Sequence, residues 1–143
     1  MSSALLRVRA EDGEDLEVLS AAMQDAVFRV GDAQFEARAR RFTIVANRFR
    51  WETGRNERIR AALSFEGVLS VKTHRFQASA KDAVASILTI RFNAADEPPA
   101  GHVEIALAGG GGIRLDVEAL DALVADWGDP WPTPRRPNHE RPS

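Results

Sequence analysis

Apolar residues recur at every second position in one stretch of this chain after another, and that rhythm restricts the fold more than any other feature. Ile59, Ala61, Leu63 and Phe65 alternate with Arg58, Arg60, Ala62 and Ser64. Phe42, Ile44 and Ala46 keep the same rhythm upstream, as do Leu69 and Val71, then Val84, Ser86, Leu88, Ile90 and Phe92, and finally Val103, Ile105 and Leu107. Successive side chains of a strand point to opposite faces, so a period of two sets one row against a core and the other in water. Turn-forming residues separate the runs: Gly31-Asp32, TGRNE at 53–57, Gly67, a polar stretch at 77–82, the Pro98-Pro99 loop and the glycines at 109–112. Short strands punctuated in this way pair antiparallel with their neighbours.

Two segments read as helices. Asp12 or Asp15 can cap the first, and Leu16, Leu19 and Met23 follow at helical spacing. Asp116 can cap the second, with Val117, Leu120, Leu123, Val124 and Trp127 forming a stripe that Gly128 and Pro130 end. The expected architecture is therefore mainly β (α+β). It has about seven short antiparallel strands in a bent sheet or partly open barrel, an N-terminal helix and a C-terminal capping helix. That order is pleckstrin-homology-like; the rival is an open α+β sheet with both helices on one face. Residues 1–128 make a single globular domain, and the proline-rich residues 129–143 are expected to be a mobile tail.

The run at 41–51 contains a change of phase. Phe42, Ile44 and Ala46 are apolar at even positions, but Phe49 and Trp51 are apolar at odd ones. One strand cannot bury both sets on one face without an extra residue, which predicts a bulge or bend at Ala46-Asn47-Arg48. With Phe49 and Trp51 inward, Arg48 and Arg50 point outward, and Arg58 and Arg60 point outward from the next strand. Antiparallel pairing then gathers these arginines on one sheet face, where like charges repel. Glu52, Glu57 or the acidic helix can neutralise them internally, or an anion from outside can. Arg48, Arg50, Arg58 and Arg60 are the candidate ligand-binding residues.

Other chemistry is weakly signalled. The chain has no cysteine, which excludes disulfides and thiolate sites. His102 and Glu104 share a strand face, but two ligands do not make a metal site. His74 has no Ser or Asp arranged with it for nucleophilic catalysis. The glycines at 109–112 lack phosphate-loop spacing. No metal, cofactor or catalytic residue is implied. A net charge of −2 argues neither for a dedicated nucleic-acid binder nor for a membrane-surface protein. No apolar run is long enough to span a membrane, and a cytoplasmic setting is the expectation.

The elements QDA (24–26), RRF (40–42) and NRFRWE (47–52), with DWGDPWPTP at 126–134, resemble the mainly alphaproteobacterial domain-of-unknown-function family 2948. The resemblance covers residues 16–131 and implies one compact domain, with no assigned catalytic residue or cofactor. The reading from sequence is a small binding or interaction module for a protein or anionic ligand. A small enzyme and a weak nucleic-acid binder acting through the arginine-rich face are the alternatives.

Overall fold

The computed structural model describes residues 5–134 and 137. These form β1 (Arg7–Ala10), α1 (Gly13–Met23), β2 (Val27–Arg29), β3 (Ala33–Glu36), β4 (Arg41–Phe49) and β5 (Glu57–Phe65). Next come β6 (Val68–His74), β7 (Val84–Ala94), β8 (Gly101–Leu107), β9 (Gly112–Val117) and β10 (Ala122–Pro132). The strands make one antiparallel sheet in the order β1-β10-β5-β4-β2-β7-β8-β9-β6, with β3 also alongside β4. The sheet is not closed, and β1 and β6 are its outer strands.

The mainly β expectation stands, with ten strands instead of about seven. The C-terminal helix is corrected: residues 122–132 are strand. Val124 fits both periods, but Ala122, Val124 and Asp126 are the buried set, which is a period of two. Pairing decides the outcome, because β10 lies between β1 and β5 and satisfies its backbone on both edges. The pleckstrin-homology-like closure by a terminal helix is lost with it. Instead α1 covers the core, burying Leu16, Leu19 and Met23. Its N-terminus is capped as expected, since the Asp12 carboxylate accepts the Asp15 N–H at 2.8 Å.

The expected bulge at Ala46-Asn47-Arg48 is also corrected. β4 pairs with β5 without a shift from Phe42↔Phe65 to Phe49↔Arg58. The even-numbered row simply continues inward through Arg48, which is fully buried. Phe49 is buried too, but from the outer side, beneath Trp51 at a ring-centroid distance of 4.6 Å. Register shifts do occur in other strands. In β7 the register shifts between Ile87 and Thr89, leaving Leu88 as the extra residue. In β6 it shifts between Val68 and Ser70, leaving Leu69. Leu69 and Leu88, both placed inward by simple alternation, are 53% and 37% exposed for this reason.

One apolar core serves the whole sheet. It joins Phe42, Ile44, Leu63 and Phe65 from one half to Ile90, Val103, Ile105 and Leu115 from the other. The two halves meet at β2, whose Val27 pairs with Asn47 of β4 and with Ser86 of β7. Beyond residue 128, the part of the proposed tail at 129–132 belongs to β10, and Thr133 N–H bonds Asn56 O at 2.9 Å. Residues 135, 136 and 138–143 of the tail lie outside the described residues.

Candidate functional site

The four arginines singled out from sequence are split between two faces. Arg48 lies inside. Arg48 is opposite Ile59, but the next inward pair, Ala46 and Ala61, is small, and Ala61 pairs with Asp126 of β10, so the long side chain crosses that alanine pair diagonally to reach Asp126. Nε and Nη2 donate to the two Asp126 oxygens, each at 2.7 Å. Nη1 and Nη2 donate to the Glu52 carboxylate at 3.0 and 2.7 Å, and Nη1 also reaches Phe49 O at 3.2 Å. Every donor of the planar fork is thus used, in the bidentate geometry that suits arginine. Asp126 in turn accepts the Leu6 N–H at 2.9 Å, which ties the start of the chain to the cluster.

Arg50 is buried as well, and its Nη1 donates to Glu57 at 3.0 Å. The outward orientation expected for Arg48 and Arg50 is therefore corrected. Glu52, Glu57 and Asp126 neutralise them from within. Burial opposes the charge of Arg48, yet its bonds to Asp126 and Glu52 outweigh that and raise its pKa. Burial likewise opposes ionisation of Glu52, but Arg48 prevails and holds the carboxyl below its ordinary range. A depressed carboxyl contributes stability above its unfolded-state pKa and loses it as pH falls through the folded-state value. Thermal melts of wild type should therefore fall in acid, below about pH 4. Glu52→Gln should be less stable near neutrality and show a flatter acid limb; an unchanged acid limb would refute this assignment.

Arg58 and Arg60 occupy the outer face of β5. Arg58 Nη1 donates to the carbonyls of Asn47 and Asp25 at 3.0 and 3.2 Å, and its guanidinium lies 6.0 Å from the Phe49 ring centroid. Burial lowers its pKa, partly offset by the charge of Asp25. Arg60 is exposed, and among the described residues it joins no ion pair. Directly opposite residues of an antiparallel pair project on the same face. Trp127 is opposite Arg60 and Trp131 is opposite Arg58, across a register shift in β10 at Gly128-Asp129-Pro130. The two indoles are 44% and 37% exposed. Each of these arginines on β5 therefore stands beside a tryptophan on β10.

On the other side of Arg60 the sheet seam forms a hollow of about 500 Å³, lined by Val27, Phe28, Arg29, Asp32, Val45, Asn47, Arg60 and Val84. The Oδ1 atom of Asn47 is itself shielded from solvent and has no hydrogen-bond partner. An unpaired buried acceptor costs free energy of about 1–3 kcal/mol unless something donates to it. On the far half of the sheet Lys72, Arg114 and Asp116 form a cluster. Asp116 takes Ser70 Oγ at 2.8 Å and Arg114 at 3.2 Å, which depresses its pKa through the serine bond first. His102 and Glu104 share a face as expected, 3.1 Å apart. Among the described residues no group of three potential ligands gathers for a metal, and no helix is long and apolar enough to cross a membrane.

Sequence reasoning missed Trp127, Trp131, Asn47 and Asp126. The signal for the tryptophans was the odd-position series Leu123, Ala125, Trp127, which a strand assignment would have turned outward beside Arg60. Asp126 was hidden because a lone inward carboxylate is recognisable only with its arginine. No curated protein and no solved structure matches this chain. The family model described as Protein of unknown function (DUF2948) matches residues 6–139, and the chain belongs to that family.

Proposed function

We propose that this protein is a single-domain, non-enzymatic binding module that recognises an anionic ligand through the outer face of β10, β5 and β4. Arg58 and Arg60 supply the positive charge, and Trp127 and Trp131 supply rigid apolar surface. The observation that carries the reading is the register that sets two half-exposed indoles opposite these arginines. Exposed tryptophan costs hydrophobic free energy in a free monomer, and Trp with Arg dominates the energetics of recognition surfaces. Arg48 and Arg50 take no part in contact on this reading; they hold β4, β5 and β10 in register beneath the face.

The test is calorimetric titration of the protein with inorganic polyphosphate at low salt. Binding should weaken with added salt, and Arg58→Ala/Arg60→Ala should weaken it at least tenfold, while Lys72→Ala/Arg114→Ala on the far half leaves it unchanged. Equal affinity for the wild type and the Arg58/Arg60 variant would overturn the reading, as would no binding by the wild type.

A further inference from the structure

Resting on that reading of the outer face, we infer that its ligand is single-stranded nucleic acid, held by base stacking on the tryptophans and by phosphate contacts to the arginines. Three observations point to this chemistry over a simple anion. The first is pairing: Trp127 with Arg60 and Trp131 with Arg58 form two successive cross-strand pairs on one face, tryptophans along β10 and arginines along β5. A nucleotide chain likewise presents a row of bases beside a row of charged phosphates. A mineral anion has no use for an exposed indole beside each arginine. Base–aromatic stacking beside a basic track is how single strands are bound without sequence preference.

The second is the seam hollow next to Arg60. Arg29 and Arg60 both line it beside Asp32, and neither arginine joins an ion pair among the described residues. A phosphate of the same ligand suits these two guanidiniums. The third is shape. The face is open and extends across β4, β5 and β10, which fits a strand laid over a sheet and does not fit an enclosed mononucleotide. A duplex hides the faces of its bases, so it cannot stack on the indoles. The acidic groups Glu52, Glu57 and Asp126 are paired with Arg48 and Arg50, not with Arg58 or Arg60.

The experiment titrates the full chain with an unstructured single-stranded oligonucleotide, its duplex, the mononucleotide and inorganic polyphosphate, following tryptophan emission and competition. The single strand should quench the emission and bind more tightly than the other three. Trp127→Ala, checked for an unchanged circular dichroism spectrum, should weaken single-strand binding by about 5- to 150-fold, the loss expected for one stacked base. It should weaken polyphosphate binding far less than single-strand binding, and Trp127→Phe should restore most of the affinity. Arg58→Ala/Arg60→Ala should reduce the log–log salt slope by about 1.4, from two phosphate contacts at about 0.7 each. If polyphosphate binds as well as the oligonucleotide and Trp127→Ala changes neither, the nucleic-acid inference falls while the anion-binding reading stands. If the mononucleotide or duplex matches the single strand, the inference also falls. If no probe binds, both fall.

Discussion

Asp126→Ala will destabilise the fold by about 3–5 kcal/mol, the cost of removing one partner from a buried ion pair. The side chains of Arg48 and Asp126 are both fully shielded from water. Without Asp126, two guanidinium donors lose their acceptors and the Leu6 N–H loses its own. Glu52 remains, but its side chain is 39% exposed and on the turn, so it cannot replace the lost contacts. For a domain of this size the loss corresponds to a fall in Tm of roughly 10 °C or more, read by thermal or urea melts. Arg48→Met/Asp126→Leu should recover most of that stability, because replacing both buried charges by apolar groups of similar size is often neutral. A single variant within about 0.5 kcal/mol of wild type would remove the cluster from the account of the fold.

Phe49→Ala should cost about 3–5 kcal/mol, the range for a buried aromatic truncated to alanine. Phe49 has no exposed surface although it stands on the outer side of β4. Trp51 covers it, and the Trp51 indole N–H is anchored on Gln24 O at 3.0 Å, so the ring is clamped between the turn after β4 and the end of α1. Arg58 leans on the other side of the same ring. The variant should therefore lose stability and also loosen Arg58, so residual folded protein should bind polyphosphate more weakly. Phe49→Leu, which keeps most of the volume, should cost less than half as much. Equal stability of the alanine variant and wild type would mean that the outer aromatic cluster carries no packing free energy.

These two sites show what could be seen from sequence and what could not. The alternation in β5 and the helical spacing of Leu16, Leu19 and Met23 are local signals, and they held because the core lies on the face they specify. The phase change near Phe49 was also a real signal, but its reading as a bulge assumed that arginine faces water. Burial of Arg48 depends on Asp126, almost eighty residues later in the chain, and no local pattern announces such a partner. The same long-range dependence defeated the helix assignment at 116–128. Val124 satisfies both periods, and only the neighbouring strands β1 and β5 decide between them. The bulges at Leu69 and Leu88 were invisible because an apolar residue at the extra position looks like one more member of the row.

For the candidate site, Arg58 and Arg60 were placed correctly by the alternation of β5. Trp127 was assigned to a buried stripe and Trp131 to a tail, so the aromatic half of the face was lost with the helix assignment. Asn47 carried no signal at all, since its significance lies in a missing partner at a seam that the sequence does not reveal.

The claim at the centre is a division of labour: charges beneath β5 hold the sheet, and charges above it meet the ligand. It is tested most directly by measuring polyphosphate affinity for two folded variants side by side, Arg48→Met/Asp126→Leu and Arg58→Ala/Arg60→Ala. The account predicts wild-type affinity for the first and at least a tenfold loss for the second. Loss of binding in the folded inner variant, or its retention in the outer one, would contradict it.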